Sequence, residues 1–326
     1  MKKELTKKRK VIIDCDPGID DALAILLAVQ SEELEIVGIT VCSGNVPAKI
    51  GVQNVLRVLK QCNALHIPVY LGEEHPLKRE LVTAQDTHGE DGLGETFFEE
   101  VIEVQYQENA VDFIIKTLRE NNKVSIIALG PLTNIAKALI QDKEAFNYLD
   151  EFVSMGGAYR IHGNCSPVAE FNYWVDPEAA DYVFKQLPKK IHMVGLDVTR
   201  KIVLTPNILE LIKRLDEEKA DFITKITRFY IDFHWHQEGI IGCVINDPLA
   251  VAYFIDRSLC EGFESFVEVA TEGIAMGQSI VDVEHFYKKP SNAYVLTQVD
   301  ERRFMELFIK RLFEKEDISE KLKEVF

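Results

Sequence analysis

The segment Val11-Ile12-Ile13-Asp14-Cys15-Asp16-Pro17-Gly18-Ile19-Asp20-Asp21 places four carboxylates within eight residues, directly after an apolar run. Like charges this close repel one another, and burying them raises the cost further unless something positive sits among them. A hard divalent cation bound through oxygen is the natural counter-charge. Capping of the following helix by Asp20, with Asp21 favouring its positive end, accounts for one or two of these side chains but not for all of them. Pro17-Gly18 between them shapes a tight turn, so the pattern reads as a metal-binding site. A strand-end DxD that attacks phosphate beside magnesium is the chemical rival. That arrangement is normally followed by Thr or Val and an apolar residue, whereas Pro17-Gly18 stands there in this chain and no compensating lysine motif accompanies it.

The elements that must position this cluster follow from hydrophobic periodicity. Short β-branched runs alternate with amphipathic stretches, the pattern of an open, mostly parallel α/β sheet with helices on both faces, a Rossmann-like arrangement. Strands are expected over Val11–Asp14, Leu34–Val41, Pro68–Leu71, Val124–Leu129, Phe152–Met155 and Ile191–Asp197. Helices are expected over Asp20–Gln30, Pro47–Gln61, Ala110–Asn121, Pro131–Ile140 and Pro177–Gln186, with the prolines 47, 131 and 177 in first helical turns, where no hydrogen bond is lost. Additional helices occupy most of Thr205–Asp256. Gln278–Val283 and Asn292–Val299 read as a late strand pair before a C-terminal helix. On this reading Asp14, Asp16, Asn45, Gly130, Gly156-Gly157 and Asp197 all fall at the carboxyl edge of the sheet, where open α/β folds bind ligands.

Bulk properties narrow the function. The 326 residues carry 53 acidic and 37 basic side chains, a formal net charge of -16 that repels nucleic acid and anionic membranes. The basic start, Lys2-Lys3 to Lys10, precedes an apolar run that Asp14 and Asp16 interrupt at once, unlike a signal peptide. No apolar run approaches the ~20 residues that span a bilayer. Six cysteines without any CxxC pair suit a reducing compartment, so a cytoplasmic location is expected. With neither linker nor repeat, 1–326 reads as a single domain.

The Asp14–Asp21 segment resembles the DxDxxxDD signature of the inosine-uridine-preferring nucleoside hydrolase family. Further blocks agree in order: Gly44-Asn45; His88-Gly89 with Gly92 to Gly94; Gly130-Pro131-Leu132-Thr133-Asn134; Met155-Gly156-Gly157 through Ala169-Glu170-Phe171-Asn172; Asp176-Pro177-Glu178-Ala179-Ala180; and Asn246-Asp247-Pro248. The resemblance implies a Ca2+ held by Asp16, Asp21, the Leu129 carbonyl and Asp247, and hydrolysis of the N-glycosidic bond of ribonucleosides with Asp16 as general base. It further implies that Asp20 and Asn172, supported by Asn45, hold the 2′- and 3′-hydroxyls. Glu170 and Asn164 grip the 5′-hydroxyl, Met155 lies against the sugar with Phe171 beside it in the substrate site, and Asp14 orients the turn. Charge spreads over the ribose ring as the base leaves, so carboxylates around the sugar suit the transition state. Relatives form homodimers or homotetramers, and a homo-oligomer in base and ribose salvage is expected.

One position departs from the pattern. Many members carry histidine before the last calcium aspartate, where this chain has Asn246, which donates a hydrogen bond but delivers no proton at neutral pH. His234, four residues after Tyr230 and on the same helical face, is the candidate acid. Tyr230 and Trp235 are candidate stacking surfaces, His236 is a second-choice acid, and His88 reaches the pocket from its glycine-rich loop. For Trp235 and His236, plain helix packing is the competing reading. Two functional alternatives accompany the departure: a calcium-dependent nucleoside or ribose binder that has lost turnover, and a hydrolase of an atypical N-riboside.

Overall fold

A computed structural model of the chain describes residues 8–121, 123–314 and 318–325. The basic residues before Lys8 lie outside the described residues. The strands are β1 (Arg9–Cys15), β2 (Leu34–Val41), β3 (Val69–Leu71), β4 (Val124–Ala128), β5 (Leu149–Met155), β6 (Ile191–Val194), β7 (Val203–Leu204), β8 (Cys243–Val244), β9 (Cys260–Val269), β10 (Ser279–Asp282) and β11 (Ala293–Val299). Nine of them form one sheet in the order β10-β9-β11-β6-β5-β4-β1-β2-β3, and β7 with β8 forms a separate antiparallel ribbon. From β3 to β11 every neighbouring pair is parallel; β9 runs antiparallel to both β10 and β11.

Parallel strands need crossovers, and these are helical. The first half carries α1 (Ile19–Val29), α2 (Ala48–Gln61), α3 (Gln85–His88), α4 (Ala110–Glu120) and α5 (Thr133–Gln141). Next come α6 (Phe171–Val175), α7 (Pro177–Gln186), α8 (Leu196–Thr199), α9 (Pro206–Leu215) and α10 (Glu217–Glu238). The chain continues through α11 (Asp247–Ile255) and α12 (Glu301–Phe313) to α13 (Ser319–Val325). Side chains alternate along each strand, so β1 sends Val11 and Ile13 into one core with α1, α2 and α11, and Ile12 into another with α4, α5 and α7. The sheet is therefore covered on both faces. Among the described residues no helix is long and apolar enough to cross a membrane.

β1 lies between β2 and β4, and the chain winds outward from it in both directions. At such a switch point the connections leaving neighbouring strands diverge and open a crevice at the carboxyl edge. The acidic turn after β1 and the Leu129–Leu132 turn after β4 flank that crevice.

Several expectations shift. Pro47 caps α2 instead of lying in its first turn, and Pro131 precedes the Leu132 cap of α5, whereas Pro177 does occupy the start of α7. β6 stops at Val194, because Gly195 caps the short α8; Asp197 lies in that helical turn and accepts from the backbone N–H groups of Tyr159 (2.7 Å) and Arg160 (2.8 Å). The late strands do not pair with each other. Each pairs with β9, which the sequence pattern concealed because Glu261, Gly262, Glu264 and Glu268 break its apolar run.

Candidate active site

The turn after β1 is built on its own carboxylates. Asp21, in the first turn of α1, accepts from the backbone of Asp16 (3.2 Å) and Gly18 (3.0 Å) and from Asn45 Nδ2 (3.1 Å). Asp16 accepts at Oδ2 from the Asn45 N–H (2.6 Å), while its buried Oδ1 has no hydrogen-bond partner among the described residues. The space for this carboxylate comes from glycines after β2 and β4. A Cβ at Gly130 would lie 2.5 Å from Asp16 Oδ1, and one at Gly44 would fall on Oδ2. Asp14 faces away, held by Thr40 Oγ1 (2.5 Å) and Asn134 Nδ2 (2.8 Å).

Asp247 opens α11 and joins this cluster from the far end of the chain. Oxygens of Asp20, Asp21 and Asp247 lie within 4.8 Å of one another, and this carboxylate group could hold a metal ion. Burial, and after it the Asp20 charge, pushes Asp21 up to about 7. Burial first and neighbouring carboxylates second push Asp16 and Asp247 well above the usual carboxylate range. Burial alone pushes Asp14 up to about 7, against two hydrogen bonds that favour its ionised form. Such a set is stable in ionised form only with a compensating cation, and the donors are hard oxygens throughout. The partnerless Asp16 Oδ1 beside the glycine-made space fits a divalent ion. The Leu129 carbonyl, expected from the resemblance as a further ligand, accepts from Asn172 Nδ2 (2.6 Å).

A cavity of about 360 Å³ opens over the cluster. Asp20, Asn45, Leu129, Met155, Asn172 and Asp247 are among its lining. Asp16 and Asp21 are fully buried behind that lining, hydrogen-bonded to Asn45. Asn164, Glu170 and Phe171 line the cavity too. Glu170 caps α6, accepting from Asn172 N (2.8 Å), Gly157 N (2.9 Å) and Tyr173 N (3.3 Å), and burial pushes it up to about 7. Asn164 accepts from Phe171 N (2.9 Å), so this part of the lining is pinned to the helix start.

His88, Tyr230, His234 and Asn246 line the cavity as well. The Tyr230 ring lies 5.1 Å from His88 and 4.4 Å from His234, centre to centre. Hydrogen-bond partners fix the tautomers of both imidazoles. His88 Nδ1 accepts from the Ile19 N–H (3.1 Å), so the neutral ring carries its proton on Nε2. His234 Nδ1 lies 2.8 Å from the Tyr230 carbonyl, which only accepts, so the proton is on Nδ1 and the neutral Nε2 is an acceptor. Burial lowers the pKa of both, and neutral rings prevail at pH 7. Asn246 spends its amide on Asp20 (3.1 Å).

The cavity thus gathers every pocket residue singled out from the sequence, with two corrections. Trp235 and His236 face solvent on the outer side of α10, because successive helical residues are turned by about 100° and His234 takes the inner side. Neither is placed to stack on or protonate a ligand. Sequence reasoning also missed Asn134 as the holder of Asp14 and Arg200, which pairs with Glu238 (3.0 Å) at the cavity wall. The GPLTN block contained the first; nothing local signalled the second.

A cleft at the switch point of a doubly covered sheet, lined by buried carboxylates, by Asn164, Asn172 and Glu170, and by the ring group of His88, Tyr230 and His234, fits the N-glycosyl hydrolases that the chain resembles. The family model for the inosine-uridine preferring nucleoside hydrolases matches residues 11–306, and the chain belongs to that family. It is 36% identical over 306 residues to the pyrimidine-specific ribonucleoside hydrolase RihA of Escherichia coli, covering 93% of this chain and 97% of that protein. Among solved structures it is similar to a plant nucleoside hydrolase, with TM-score 0.89, 32% identity and coverage of 94% and 99% of the two chains. The purine-preferring ribonucleoside hydrolase of Gardnerella vaginalis gives TM-score 0.88 and 34% identity, covering 94% and 98%.

Proposed function

We propose that this ribonucleoside hydrolase depends on Ca2+ held by Asp16, Asp21, Asp247 and the Leu129 carbonyl, and that Asp16 is its general base. The observation that carries the reading is Asp16 itself: one oxygen is fixed by the Asn45 N–H, and the other is buried, partnerless and unobstructed by side chain at Gly130. Calcium, when bound, compensates the clustered carboxylates and acidifies a coordinated water. Asp16 Oδ1, the oxygen that the Asn45 N–H leaves free, would accept the proton of the attacking water. Asp20, Asn45 and Asn172 hold the 2′- and 3′-hydroxyls, and Glu170 with Asn164 holds the 5′-hydroxyl. Met155 and Phe171 pack on the sugar and exclude water. The carboxylates stabilise the positive charge that spreads over the ribose as the base departs.

At the leaving group, Tyr230 lines the base end. The neutral His88 offers its Nε2–H to an acceptor on the base, whereas His234 delivers a proton only as an imidazolium, which its lowered pKa confines to acidic solution. His234 therefore acts as the acid below its titration, and His88 carries the departing charge at neutral pH. Asn246 orients Asp20.

The test is release of ribose from inosine, uridine, cytidine and adenosine, with and without a calcium chelator. Relatives of nearly equal identity are named for pyrimidine and for purine substrates, which is why both classes are assayed. Chelation is expected to abolish release. Release that survives chelation removes the metal, and tight ribose binding without release from any of the four favours the binding-protein reading that Asn246 suggests. Residues 1–326 are proposed to act as one hydrolase domain, in the cytoplasm, as a homodimer or homotetramer.

A further inference from the structure

Asn54 is the buried polar side chain of α2, with no exposed surface. It donates both amide hydrogens to carbonyls, of Pro17 (3.1 Å) and Asp91 (2.8 Å), and accepts from Arg57 Nη1 (2.8 Å). A buried amide is costly unless fully bonded, and this one is spent on tying two loops together. Pro17 belongs to the acidic turn between Asp16 and Asp20. Asp91 belongs to the loop that follows His88.

That loop is internally knotted. The Asp91 carboxylate accepts from Leu93 N (2.9 Å), Glu95 N (2.9 Å) and Phe97 N (2.7 Å), and Gly94 N donates back to the His88 carbonyl (2.8 Å). It also packs against Asn54 without slack: Gly92 sits at φ +74°, and a Cβ there would lie 2.8 Å from Asn54 Nδ2. The acidic turn therefore grips His88 twice, directly through the Ile19 N–H on Nδ1 and indirectly through Asn54.

We propose that Asn54 is a positioning residue for hydrolysis: it holds the Asp91 loop to the Pro17 carbonyl, so that the Nε2–H of His88 keeps its register with the carboxylate cluster and meets the departing base. This rests on the reading of His88 as the donor to the leaving group. A donor displaced by a fraction of an ångström loses much of its effect, although its chemistry is unchanged.

The experiment compares the best nucleoside substrate with 4-nitrophenyl β-D-ribofuranoside, whose leaving group departs as a stable anion and needs no donor. Asn54→Ala, Arg57→Gln and His88→Ala are assayed on both, and calcium affinity is measured by titration calorimetry. Asn54→Ala is expected to lower kcat on the nucleoside by about tenfold or more, a part of the 10²–10⁴ that a well-placed proton donor supplies. On the nitrophenyl riboside it is expected to change kcat less than about threefold, with calcium affinity retained. Arg57→Gln, which frees the Asn54 oxygen, shifts the ratio in the same direction by less, and it carries the comparison should Asn54→Ala fail to fold. Equal loss on both substrates, weakened calcium binding or an unchanged ratio overturns the inference. If His88→Ala leaves the ratio unchanged, the donor reading itself fails and the role of Asn54 falls with it; a ratio moved by His88→Ala but not by either loop variant refutes Asn54 alone.

Discussion

Asp16 concentrates the chemistry of the site in two oxygens with different fates. The Asn45 N–H engages one, which holds the carboxylate in place, and the other is the oxygen that the proposed mechanism assigns to metal and water. On the proposed mechanism Asp16→Asn keeps the shape and removes the base, so kcat for ribose release is expected to fall by about 10³-fold, within the range for a general base. Steady-state kinetics on the best nucleoside checks this, and retention of more than a tenth of the activity contradicts it. The two histidines make a second residue-scale prediction. An acid must be protonated to act, and burial lowers the pKa of His234 below the ordinary 6.5. His234→Ala is therefore expected to cost little at pH 8 and progressively more as pH falls, while His88→Ala costs activity across the range. A pH–rate profile in which His234→Ala is most damaging at pH 8 would reverse the assignment.

The elements matter chiefly through where they end. β1, β2 and β4 stop at one edge, and glycines in the turns that follow let backbone approach Asp16 closely. Gly130→Ala would place a methyl 2.5 Å from Asp16 Oδ1 and 3.0 Å from its backbone nitrogen. Neither neighbour is a flexible side-chain end, so the turn must shift, at a cost of about 1–3 kcal/mol. The expected outcome is a folded protein with a lower Tm and calcium affinity reduced at least about tenfold, because ligand geometry is disturbed. Differential scanning calorimetry with and without the ion reads both; unchanged calcium affinity would show that the Gly130 contact does not support the site. Glu170 caps α6 and lines the cavity at once, so that helix start and the cavity lining move together.

For the whole molecule, the carboxylate cluster couples stability to pH and, with calcium bound as proposed, to the ion. The metal-free fold holds Asp21 at about 7, against about 4 in an unfolded chain. The folded state thus binds more protons than the unfolded one between those values, and metal-free stability declines as pH rises from about 4 to 7. Calcium needs the ionised form and must displace those protons below pH 7. The rise in Tm on adding calcium is accordingly expected to be small at pH 5.5 and larger at pH 7.5. Saturation at a hundred times Kd contributes about 2.7 kcal/mol. Thermal unfolding at several pH values with and without calcium tests the sign, and a larger calcium effect at pH 5.5 than at 7.5 contradicts it.

Local sequence determined the strand–helix alternation, the placement of the acidic turn at the end of the first strand, and the helix start at Pro177. These depend on side-chain type and spacing, which chain order preserves. The blocks from Gly44-Asn45 to Asn246-Asp247 likewise marked the segments that meet in the cleft. β9 escaped because its glutamates and glycine break the period, although pairing on both sides makes it a strand. Tertiary structure alone brought Asp247 beside Asp21, turned Trp235 outward and left one Asp16 oxygen without a partner. It also chose which nitrogen of each histidine carries the proton, and used Asn54 to join two loops. Those outcomes are set by hydrogen-bond partners and by loss of water, and both come from residues remote in the chain, whose approach no local pattern encodes.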